Sequence, residues 1–185
     1  MLILIGKSCA GKDLIKKYLV ESGMETVTTY TTRPPRPGEK DGITYHFISK
    51  DDFLRRKQEG FFAETTSYHV ATGEIWYYGS AVEDLKDNKV IIVNPEGLKQ
   101  LKNIESLNPV SFYITVSEET IWDRLKHRGD NIDEAVRRLN ADREDFSDII
   151  NYVDFSFSND LGLKPEILAE MILYTYKKTI GKDNG

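Results

Sequence analysis

The chain has 185 residues, 39% of them hydrophobic and 30% charged, with a formal net charge of −5. These proportions describe one ordinary globular domain with a sizeable core, and they exclude a disordered or fibrous chain. The acidic balance argues against a general nucleic-acid binder, which would carry a basic surplus, but it leaves room for a local basic pocket around a small anion.

Residues 2–5, Leu-Ile-Leu-Ile, form a continuous apolar run, as expected of a parallel strand buried on both faces. The run has no basic region before it and is too short for a signal peptide, and no apolar stretch approaches the roughly 20 residues of a membrane span. A cytoplasmic, membrane-free protein is the expectation. A glycine-bearing loop follows, then a helix with Leu14, Ile15, Tyr18 and Leu19 on one face, ending at Ser22-Gly23. Residues 27–32 read as an extended segment, and Pro34, Pro35 and Pro37 then impose a fixed loop. A short strand over 45–48 and a helix over 51–58 come next, the helix stopping at Gly60. Strands and turns occupy 61–80, and a buried strand spans 90–93. A helix over 96–101 and a strand over 110–116 continue the alternation. Two charged helices around a break at Gly129 fill 118–151, a last strand spans 153–158, and an amphipathic helix over 165–178 closes the chain before a frayed tail.

Buried strands alternating with helices predict a parallel α/β sheet. Two stretches, about 30–80 and 120–150, break the alternation and read as insertions over that sheet.

Gly6-Lys7-Ser8-Cys9-Ala10-Gly11-Lys12-Asp13 matches G-x-x-x-x-G-K between a strand and a helix, where a phosphate loop must lie. Its glycines let backbone N–H groups converge on phosphate oxygens, and the helix adds its positive N-terminal end. Lys12 would reach the β- and γ-phosphates of ATP. Asp13 stands where the full pattern has Ser or Thr to touch Mg²⁺; it can ligate the metal directly, or simply cap the helix. Cys9 is the only cysteine, so no intrachain disulfide forms, in keeping with a reducing compartment.

The run from Thr29 through Arg33-Pro34-Pro35-Arg36 to Tyr45-His46-Phe47 is the most specific feature. Two arginines three residues apart on a proline-stiffened loop can both face one phosphate. This run closely resembles the signature segment of guanylate kinases, and the element order agrees over nearly the whole chain. The resemblance implies a P-loop NTPase-type parallel sheet flanked by helices, carrying an inserted nucleoside-monophosphate-binding region and a helical lid. It implies a single domain over 1–185, with a core at about 1–29, 81–119 and 152–180, the acceptor insertion at about 30–80 and the lid at about 120–151.

By that resemblance Arg33, Arg36, Tyr45 and Tyr78 bind the GMP phosphate, Thr29 and Ser80 meet the base, and Glu64 accepts from its N–H groups. The chemistry agrees: guanine presents adjacent N–H donors that a carboxylate accepts in pairs, and adenine does not. Arg124, Arg128 and Arg138 match lid arginines that close over the triphosphate, and Asn159 matches a position beside adenine. Such cations stabilise the charge spread over a transferring phosphoryl group. At the end of the central strand, where the family has two aspartates, stand Ile92 and Asn94, with Asn94 left as a substrate contact. This suggests that one metal-positioning acid has moved to Asp13.

The expected function is transfer of the γ-phosphate of ATP, with Mg²⁺, to GMP or dGMP by a monomer or homodimer. A different acceptor nucleotide, suggested by extra residues around 70–75, or a weakly catalytic binding module are the alternatives.

Overall fold

In the computed structural model the protein is described over residues 1–70, 73–128, 132–160 and 163–181, with the side chains of 128, 132–135 and 138 left out. Gly129 and the tail beyond 181 lie outside the described residues. Five parallel strands make the central sheet: β1 (Leu2–Ile5), β2 (Glu25–Thr26), β7 (Lys89–Ile92), β8 (Val110–Thr115) and β9 (Phe155–Ser158), in the order β2-β7-β1-β8-β9. Alternation along β1 explains why it reads as unbroken hydrophobic sequence. Leu2 and Leu4 enter one core, and Ile3 and Ile5 the other. The first core packs the sheet against α1 (Lys12–Glu21) and α6 (Pro165–Ile180) through Ile15, Leu19, Phe112 and Ile172. The second takes Leu98 and Leu101 of α3 (Pro95–Lys102), together with Phe146.

Helix α1 buries Ile15 and Leu19, but Leu14, expected on the same face, is exposed: α1 meets the sheet along a stripe narrower than the periodicity implies. The helix stops where Gly23 turns to φ 96, with the N–H groups of Ser22 and Met24 closing back on the Tyr18 and Leu19 carbonyls.

Within the expected extended segment over 27–32, only Tyr30–Thr31 is a strand. Its approach, β2, stays in the central sheet, whereas β3 (Tyr30–Thr31) belongs to a second sheet with β4 (His46–Phe47), β5 (Phe62–His69) and β6 (Ile75–Ala81), in the order β4-β3-β6-β5. Helix α2 (Lys50–Gln58), capped by the Ser49 hydroxyl on the Asp52 N–H, covers one face of this sheet. Phe53, fully buried, stacks on Phe62 at 4.4 Å. Helices α4 (Glu118–Arg128) and α5 (Ile132–Asp145) occupy the stretch expected as a lid. No helix among the described residues is long and apolar enough to cross a membrane.

Candidate active site

The loop from Gly6 to Gly11 leaves the carboxyl end of the central strand β1, the place where open α/β sheets bind ligands. Gly6 is required there, because an added Cβ would come within 2.6 Å of the Ile114 carbonyl oxygen. Cys9 (φ 60) and Gly11 (φ 86) both take left-handed backbone, the kind of turn that exposes consecutive N–H groups. Lys12 begins α1 and folds back over the loop, its Nζ donating to the carbonyls of Gly6 (2.7 Å) and Lys7 (2.9 Å). Burial lowers the pKa of its ammonium.

Two residues expected to face the nucleotide support the loop from behind. Asn159 is 2% exposed and donates through Nδ2 to the Ala10 carbonyl at 2.8 Å. The Arg124 guanidinium donates to the carbonyls of Cys9 (2.8 Å) and Asn159 (2.6 Å). The side chains of Arg128 and Arg138 lie outside the described residues. Asp13 is exposed in the first turn of α1; the N-cap is Gly11, and no side chain caps this helix. From α5, Asp142 Oδ2 accepts the Ser8 N–H at 2.6 Å. A carboxylate thus sits where the loop offers an anion site.

On the acceptor side the proline loop is organised from within. The Arg33 guanidinium is 4% exposed, donates to Glu39 Oε1 (2.7 Å) and the Pro34 carbonyl (2.8 Å), and lies over the Tyr45 ring at 5.4 Å. The bond from Arg33 holds the Glu39 carboxyl below the usual carboxylate range. Glu39 also accepts the Arg36 N–H at 2.7 Å. The exposed Arg36 side chain lines a cavity of about 450 Å³ with Thr29, Tyr45 and Tyr78, whereas Arg33 stands behind its wall.

That cavity is lined by Gly6, Ser8 and Lys12 as well as by Glu64. Glu64 is 6% exposed, and Ser80 Oγ donates to its Oε1 at 2.6 Å. Burial outweighs that bond and pushes the Glu64 carboxyl up to about 7. Asn94 also lines the cavity, but it is engaged at both ends: Oδ1 caps α3 on the Gly97 N–H (2.9 Å), and Nδ2 donates to the Tyr68 hydroxyl (3.0 Å).

Thr66, Tyr68 and Trp76 complete the wall and were missed in the sequence reading. The signal for them was present: Glu64, Thr66 and Tyr68 alternate on β5, and pair with Ser80, Tyr78 and Trp76 on β6. The lid contribution of Asp142 and Asp145 had no such signal, since neither stands out in a charged helix.

A family model described as guanylate kinase matches residues 1–172. A guanylate kinase of Helicobacter pylori is 36% identical over 155 residues, covering 78% of this chain and 72% of that protein. One of Syntrophus aciditrophicus is 28% identical over 184 residues, covering 96% and 86%. The crystal structure of guanylate kinase from Anaplasma phagocytophilum superposes with a TM-score of 0.70 at 22% identity, over 97% of this chain and 85% of that one, and shares the fold.

Proposed function

Because the chain belongs to the guanylate kinase family of phosphotransferases, we propose that it moves the γ-phosphate of ATP onto GMP or dGMP, giving ADP and GDP or dGDP. The observation that carries this reading is one cavity joining the Gly6–Lys12 loop to the Glu64–Ser80 pair. At the loop end, N–H groups and the Lys12 ammonium suit the β- and γ-phosphates. The Asp142 carboxylate on the Ser8 N–H supports this, since the loop already binds an anion. Elsewhere in the cavity, Glu64 suits the paired N–H donors of guanine, and Arg36, Tyr45 and Tyr78 on the same lining suit the acceptor phosphate.

In the transfer an oxygen of the acceptor phosphate attacks the γ-phosphorus, and the bond to the β-bridging oxygen breaks, leaving ADP. The acceptor is already anionic near neutral pH, so no general base is needed. Lys12, with Arg137 on the lid side of the cavity, supplies positive charge toward the transferring group. Mg²⁺ would enter with the triphosphate, and Asp13, exposed in the first turn of α1, is the carboxylate that would join its ligands. When bound it would neutralise charge on the phosphates.

An ADP-release assay with Mg²⁺-ATP across ribo- and deoxynucleoside monophosphates tests this reading. Turnover peaking on GMP or dGMP, and at least tenfold weaker in Glu64→Gln, is expected. A peak on another base would assign the Tyr68–Trp76 wall the choice of acceptor. Turnover with none would make the chain a binding module.

A further inference from the structure

One bond in the site is not explained by substrate binding. The Ser8 N–H, in the middle of the phosphate loop, donates to Asp142 at 2.6 Å across 134 residues of sequence. The Asp142 charge also reaches Lys12, whose ammonium it favours against the effect of burial. Lys12 is itself turned onto the Gly6 and Lys7 carbonyls. Both groups that would receive a phosphate are therefore engaged within the chain, the N–H by a carboxylate and the ammonium by carbonyls.

We propose that Asp142 is a built-in stand-in for phosphate, which latches α5 onto the phosphate loop and has to be displaced by the donor nucleotide. The inference rests on residues 6–12 being the ATP phosphate loop. A carboxylate and a phosphate oxygen cannot both take the Ser8 N–H, and their like charges forbid close co-occupancy in a partly buried site. ATP therefore binds with its intrinsic affinity reduced by the fraction of time the latch is open.

Release has a defined direction. Phe146 anchors the end of α5 in the second core, one turn beyond Asp142, and Arg143 pairs with Glu118 of α4 at 2.9 Å. Freeing Asp142 leaves α5 held at that end and lets the preceding turns move. Arg137 lies on those turns and lines the same cavity. An incoming triphosphate repels Asp142 and attracts Arg137, so one event unlatches the helix and recruits its cation. A lid helix that carries the competitor for its own site couples donor binding to lid movement.

The test is equilibrium titration of the full chain with ATP in EDTA, and with pyrophosphate as a probe lacking the base, on wild type, Asp142→Ala and Asp142→Asn. Hydrogen exchange of α5 is followed alongside. Asp142→Ala should bind both probes about tenfold tighter, and Asp142→Asn should fall between. Amides of α5 before position 142 should exchange faster in Asp142→Ala without ligand, and in wild type only after ATP is added. Equal or weaker ATP binding by Asp142→Ala overturns the latch and leaves the ATP-site reading standing. Failure of every variant to bind either probe removes the phosphate-loop reading, and the latch with it.

Discussion

Glu64 is an acid held where its charge is costly until a partner arrives. Its folded pKa of about 7 lies above the unfolded value near 4.5, so the folded state keeps a proton that the unfolded state releases between those values. The associated stability is complete below the unfolded pKa and is lost as pH rises through 7, a difference on the order of 1–3 kcal/mol. Chemical denaturation at pH 4.5 and pH 8 should show this slope in wild type and not in Glu64→Gln. Guanine donors favour the ionised form, so KM for GMP should fall as pH rises from about 6 to 8. The same comparison with Glu64→Gln subtracts the titration of the GMP phosphate, whose second pKa is about 6. Gly97 is the neighbour that leaves room for this carboxylate, since an added Cβ would lie 3.0 Å from Glu64 Oε2 and 3.3 Å from Asn94 Oδ1. Gly97→Ala should raise KM for GMP several-fold with a Tm change of only about 2–4 °C, because alanine suits the helix while the carboxylate must shift. Steady-state kinetics beside a melting curve separates the two effects.

At the scale of elements, the β5–β6 hairpin is attached to α3 by a side chain acting as a strand. Gln100 on α3 accepts the Thr65 N–H and donates to the Thr65 carbonyl, both at 2.9 Å. Gln100→Ala removes both partners and should destabilise the chain by about 1–3 kcal/mol, with the Thr65 amide losing hydrogen-exchange protection first. The hairpin was only partly legible in the sequence. Alternation at 64, 66 and 68 belongs to a strand with one polar face, but the same rule would place Phe62 beside Glu64. A bulge between these two residues turns Phe62 onto Phe53 and Glu64 toward the cavity. Similarly, the chain passes from β2 (Glu25–Thr26) in one sheet to β3 (Tyr30–Thr31) in the other within a few residues, and nothing local in 27–32 marks that change of sheet.

For the whole molecule, ligand linkage gives the broadest test. GMP at about a hundred times its Kd should add roughly 2.7 kcal/mol, raising Tm by about 5–10 °C, and ATP should do the same. Lys12→Ala should lose most of the ATP shift and keep the GMP shift, as two separate ends of one cavity require. The parallel sheet, the Gly6–Lys12 loop and the family were legible in the chain alone, because they are written in local periodicity, glycine spacing and one contiguous motif. What surrounds that loop came from packing between distant elements. Arg124 reaches Cys9 across 115 residues, Asp142 reaches Ser8 across 134, and Asn159 reaches Ala10 across 149. Nor could sequence tell that Arg33 is held by Glu39 while Arg36 faces the cavity. Spacing places residues on an element, but the partner of a charge is fixed only when distant elements pack and remove water from between them.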